Sequence, residues 1–170
     1  MNHGTKLENE VAEICGKIFG GFLTLKNPIV FRPEKTKNKN TEVADILVYL
    51  NDTLIAFQIK SIDEVYDGSN LGEVDQGRIQ QRYGKAEGQL ADIYKAKKNK
   101  YKVTGKNLNK TELKINWDLI KEIYCVVVVS FRDQKGSDPE FRIQPEKPLV
   151  GDKHFFTFKD FSAFKEELPT

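Results

Sequence analysis

Cysteine, histidine, methionine and tryptophan are scarce in this chain of 170 residues, which holds two, two, one and one of them. Cys15 and Cys125 lie far apart in apolar surroundings, so a disulfide framework and a cysteine-rich zinc site are excluded and reduced thiols are expected. His3 and His154 do not stand at metal-ligand spacing. No run approaches the roughly 18 apolar residues of a bilayer-spanning helix. The first residues lack the charged, apolar, small order of a secretory signal, so the expectation is a cytoplasmic protein with no membrane partner. Also missing are a phosphate-binding Walker loop, a Gly-x-Ser-x-Gly elbow, internal repeats and low-complexity tracts, which leaves ATPase and hydrolase-triad readings without support.

An excess of one charge is lacking too, since the net charge is only +2. Its distribution is uneven. Lys35, Lys37 and Lys39 cluster, and from Lys95 to Lys114 eight lysines meet a single acid, Glu112. Such runs neutralise phosphates or form solvated loops, and the pattern alone leaves both readings open. What is present otherwise is ordinary: 39% hydrophobic and 31% charged residues, the composition of a folded globular chain. The length suits one domain spanning 1–170.

Leu7, Val11, Ile14 and Ile18 recur at spacings of four and three, which predicts an amphipathic helix from about Thr5 to Phe19, ended by Gly20-Gly21. Leu23 to Phe31 reads as a short strand, and Pro33 to Thr41 as a lysine-rich loop. Val43 to Leu50 and Thr53 to Lys60 are two β-prone runs joined by Asn51-Asp52, a hairpin signal. Both are apolar at nearly every position, so they belong in the middle of a sheet. Ile79, Tyr83, Ala86, Leu90, Ile93 and Tyr94 predict a long helix over about 75–98. A polar, basic insertion is expected around 98–114, then a short helix or turn at Ile115 to Ile120. A buried strand follows from Ile123 to Phe131, with a last strand near Phe155 to Phe158 and a terminal helix from Lys159 to Leu168. The fold class expected is α/β or α+β, a central mixed sheet flanked by helices.

The informative residues are polar ones where the pattern demands apolar ones. Asp45 interrupts Val-Ala-Asp-Ile-Leu-Val, and Gln58 and Lys60 end Leu-Ile-Ala-Phe-Gln-Ile-Lys. Burying such groups without partners costs several kcal/mol, so they should cluster. A two-residue loop pairs Leu50 with Thr53 and, counting back, Asp45 with Gln58. Lys60 shares the face of Gln58 because strand side chains alternate. A three-residue loop would turn Asp45 away. On the first helix Lys6, Glu10, Glu13 and Lys17 form the polar face, whereas Glu8 falls among Val11, Ala12, Cys15 and Phe19 and faces inward. Glu42 alternates onto the face opposite Asp45 and reads as a surface residue. Arg78, Arg82, Lys85 and Gln89 flank the stripe of the second helix, either as solvated charges or as contacts to a phosphate backbone.

Gly4-Thr5-Lys6-Leu7-Glu8, then Asp45, then Gln58-Ile59-Lys60 resembles the E, D and (D/E/Q)xK signature of the PD-(D/E)xK restriction-endonuclease-like nucleases, in particular the Mrr-like branches with Gln at the third position. The resemblance runs from Gly4 to about Leu90. It implies a restriction-endonuclease-like fold and a magnesium-dependent endonuclease, manganese being the usual substitute. Catalytic residues would be Glu8, Asp45, Gln58 and Lys60, with the metal on Glu8, Asp45 and the main-chain carbonyl of Ile59. Nucleic acid would be the partner, DNA ahead of RNA. A homodimer or a separate specificity subunit would suit so short a chain, and a role in restriction or phage defence would be in keeping. Gln58 departs from the acidic consensus and carries no charge, which keeps a second reading open: a catalytically inactive nucleic-acid-binding or assembly module. A third is a buried ion-pair network with a structural role only.

Overall fold

The computed structural model describes residues 3–33, 41–62, 76–131 and 152–157. Helix α1 spans His3–Phe19. Eight strands follow the order β1 (Thr24–Phe31), β2 (Thr41–Glu42), β3 (Ile46–Leu50), β4 (Thr53–Ile62), β5 (Lys102–Asn107), β6 (Glu112–Lys114), β7 (Glu122–Phe131) and β8 (Asp152–Thr157), with α2 (Gln76–Asn99) between β4 and β5. The fold is mixed α+β. Across the sheet the strands run β6-β5-β1-β3-β4-β7-β8, with β2 joined to β1. Neighbours are antiparallel from β6 through to β4, and β4, β7 and β8 are mutually parallel.

The helices sit on opposite faces of the sheet. Leu7, Val11, Ile14 and Cys15 of α1 pack with Ile46, Val48, Phe57, Ile59, Val126 and Val128. Tyr83, Ala86, Leu90 and Ile93 of α2 pack with Leu47, Leu54, Ala56, Cys125, Val127 and Val129. Alternate residues of β3, β4 and β7 therefore serve two cores, which is why these strands read as unbroken apolar runs. Each aliphatic side chain so buried contributes about 1.5–3 kcal/mol. On the α2 side a buried carboxylate, Glu87, is hydrogen-bonded to Tyr83 one turn earlier.

The hairpin forms as its two-residue loop requires: Leu50 pairs with Thr53 and the ladder runs back to Ile46 opposite Phe57. Gly20, at φ 101°, follows α1 in a conformation that glycine adopts without steric cost.

Within the basic stretch at 98–114, β5 and β6 form an antiparallel ribbon on the outer edge of β1, burying Val103 and Asn107. Every second residue there is enough to pair with an existing strand, even though the lysines between mask the pattern. The strand expected from Val43 begins only at Ile46. In β1 the register shifts between Lys26 and Ile29, with Asn27 at φ 49°, so that Val43 N–H donates to the Pro28 carbonyl at 2.9 Å instead of joining β3. Glu42 is exposed, as expected of a surface residue, and pairs with Ile29 in the separate β2. The expected loop at 33–41, for its residues 34–40, and the helix at 159–168 lie outside the described residues.

Candidate functional site

The ladder between β3 and β4 ends at Ile46 and Phe57, but β4 continues to Ile62 with, among the described residues, only β7 paired to it. Asp45 occupies that fork. Its N–H donates to the Phe57 carbonyl at 3.0 Å and its carbonyl accepts from Asn27 N–H at 2.8 Å, so its backbone ties β1 to β4. Its side chain then replaces the missing strand: Oδ2 accepts the Ile59 N–H at 2.7 Å. A buried amide without a partner costs about 1–3 kcal/mol, and the carboxylate meets that need where the ladder stops.

Gln58 is 5% exposed and hydrogen-bonds the Asp45 carboxylate, itself 7% exposed. By alternation with Leu54 and Ala56, Gln58 and Lys60 stand on the α2 face. Consistent with that, the positive charges of Arg82 and Lys85, exposed on α2, reach Lys60. Glu8 belongs to the helix on the other face, half-buried beside Leu7. Its charge interacts with those of Asp45, Glu42, Lys26 and Lys60.

The electrostatics follow from crowding acids into a partly dry place. Burial, then the charges of Asp45 and Glu42, push the Glu8 carboxyl up to about 7, against the pull of Lys26 and Lys60. Burial raises Asp45 too, opposed by the Ile59 N–H, Lys60 and Gln58. Lys60 is lowered, mainly because burial disfavours its charge, with Arg82 and Lys85 adding repulsion and Asp45 opposing the shift.

Asp45, Gln58 and Lys60 are thus brought together as the hairpin register requires, with Glu8 in electrostatic reach. Of the residues flanking the α2 stripe, Arg82 and Lys85 reach the cluster, Gln89 is exposed, and the Arg78 side chain lies outside the described set. Two neighbours were missed from sequence. Glu42 was set aside by assuming one continuous strand through Asp45; the excursion at 43–45 voids that alternation. Lys26, whose Nζ donates to Asn9 Oδ1 beside Glu8, was available as the one charged residue in the run from Leu23 to Phe31.

Among the described residues no three His, Cys, Asp or Glu side chains form a group that could hold a metal ion. Comparison with family models, curated proteins and solved structures finds no match.

Proposed function

We propose that this chain is a divalent-metal-dependent nuclease acting on phosphodiester bonds, with DNA as the preferred substrate. The observation that carries the proposal is the fork itself: Asp45 bridging to Ile59 N–H at 2.7 Å, bonded to Gln58, with Lys60 two residues on in the same strand. An acid, an amide and an amine of that kind, held where two central strands part, agree with the signature that the sequence resembles.

The donors fit a hard cation. Glu8 and Asp45 offer carboxylate oxygens whose ionisation is opposed by burial and by neighbouring acids, Asp45 and Glu42 for Glu8 and Glu42 for Asp45, which is the strain a positive ion offsets. The main-chain carbonyl of Ile59 and the amide oxygen of Gln58 would complete the oxygen set. When bound, magnesium or manganese supplies Lewis acidity and a more acidic water. The chain's own groups do the rest. Asp45 is held in place by Ile59 and Gln58. Lys60, with its charge disfavoured by burial, takes a proton from the attacking water or hydrogen-bonds the phosphate oxygens. Arg82 and Lys85 add positive potential for the substrate backbone. Water adds to phosphorus, one P–O ester bond breaks, and a phosphomonoester and a hydroxyl are left.

A second reading is a nucleic-acid-binding module without cleavage. The hydrogen bond from Gln58 to Asp45 favours it, because an amide used in this way adds no negative charge. Magnesium-dependent cleavage of plasmid, single-stranded DNA and RNA, with Asp45→Ala and Lys60→Ala as controls, separates the two. The nuclease reading requires cutting by the native protein and loss in both variants. Binding without cutting in all three leaves only the module. The same substrates report whether a second copy or a specificity subunit is needed, and a role in restriction or phage defence is the biological setting we propose.

A further inference from the structure

The face of the sheet that carries α1 is not covered evenly. α1 packs over β3, β4 and β7 and reaches β1 at Lys26. Among the described residues, no helix packs on the same face beyond the β1 bulge. Partners in an antiparallel pair share a face, so Glu42, Ile29, Thr104 and Lys114 form one row across β2, β1, β5 and β6. On one side of that row stand Phe31 and Lys102; on the other, Lys26 and Lys106. The intervening residues Val30, Val103 and Leu113 turn into the α2 core.

Ile29 is 37% exposed, and Lys102, Lys106 and Lys114 are exposed with no ion pair among the described residues. Lys102 Nζ stands 5.2 Å from the centroid of the Phe31 ring. With strands about 4.8 Å apart, the row from Glu42 to Lys114 extends some 14 Å from the fork. Next to it a cavity of about 340 Å³ opens between Phe31, Arg32, Lys100, Tyr101 and Lys102. Apolar groups at the centre of a flat strip and cations around it suit a chain with a charged backbone and flat apolar bases. Glu112 and Glu42 are the acids on the strip, and Glu42 stands at the end that joins the site.

We infer that this face of β1, β5 and β6 is the bed along which a single-stranded nucleic acid reaches the fork, phosphates on Lys102, Lys106 and Lys114, and a base against Ile29 and Phe31. The inference rests on the nuclease reading, for which it names the substrate form and its path.

The test is fluorescence anisotropy of a labelled single-stranded oligonucleotide and of its duplex in EDTA, so that no cleavage intervenes. The Lys102→Glu/Lys114→Glu double variant is compared with Lys17→Glu, a reversal on the outer face of α1. The double variant should lose single-strand affinity by about tenfold or more, and its salt slope should shrink by about 1.4, the share of two phosphate contacts. Lys17→Glu should bind within about twofold of the native protein. Phe31→Ala should weaken single-strand binding without altering the salt slope. Failure of the native protein to bind single strands, equal losses in the double variant and the control, or a loss confined to the duplex overturns the bed. Adding magnesium separates the two claims. Cleavage with unchanged affinity in the double variant sinks the bed and leaves the nuclease; lost affinity without any cleavage by the native protein does the reverse.

Discussion

The Asp45 carboxylate takes the place of a strand for Ile59, accepting its N–H at 2.7 Å where β3 has already turned away from β4. One side chain thereby closes the hydrogen-bond ladder and stands in the position proposed for chemistry, so structural and catalytic losses at Asp45 can be told apart by choice of substitution.

Asp45→Asn keeps an oxygen that can accept from Ile59 and removes a charge that burial disfavours. The metal-free variant should be as stable as the native protein or more so, and inactive. Asp45→Ala leaves the amide without a partner and should cost about 1–3 kcal/mol. Urea titration of both, followed through the single tryptophan, Trp117, whose buried indole donates to the Tyr101 carbonyl at 2.6 Å, reads the difference. Equal destabilisation by the two substitutions would contradict the capping role.

Glu8 gives the protein an inverted acid response. Its folded-state value, about 7, lies above the ordinary 4.5, so ionisation costs more in the folded chain than in the unfolded one. The associated stability is complete below about 4.5 and is lost as the pH rises through about 7; Asp45, also raised, adds in the same direction. In metal-free buffer the urea midpoint should therefore fall from pH 5 to pH 8, and Glu8→Gln should flatten the fall. Magnesium added at pH 8 should raise the midpoint of the native protein more than that of Glu8→Gln. A native midpoint that climbs over this range, or a slope unchanged in the variant, would rule out a raised Glu8.

Gly105 permits the basic ribbon to lie against the bulge of β1. A Cβ there would stand 3.0 Å from Leu25 Cδ2 and 3.2 Å from both Cα and Cβ of Pro28. Gly105→Ala must push β5 away from backbone atoms that cannot rotate aside, at a cost of about 1–3 kcal/mol. If thermal unfolding of the variant matches that of the native protein, the close approach is not tight in solution.

Cys15 should behave as a hydrophobic residue. It is wholly buried under α1, and burial pushes its thiol up to about 12. Alkylation by iodoacetamide at pH 8 should be negligible in the folded protein and rapid in urea, with any slow folded-state reaction tracking opening of the helix. Fast labelling of Cys15 in native buffer would place α1 off the sheet.

Much of this arrangement was legible in the residues because the signals are local. A two-residue turn and a side-chain period of two determine which residue faces which in β3 and β4, and a period of 3.6 determines that Glu8 leans toward Val11 and Cys15 while Lys6 and Glu13 do not. The strand of four valines in β7 and the long second helix are likewise written in spacing alone.

What only the tertiary structure decided depends on partners distant in the chain. Whether the lysine-rich stretch after α2 is loop or strand turned on the free edge of β1 about 75 positions earlier, a pairing that no local period encodes. The bulge at Asn27 and Pro28 draws Val43 away from β3, and so it, and nothing within 41–50, sets Glu42 beside the fork and frees Asp45 to cap Ile59. Local periodicity can say which way a side chain points within its own element; the place where one element stops and another takes over its hydrogen bonds is settled by whatever strand happens to lie alongside.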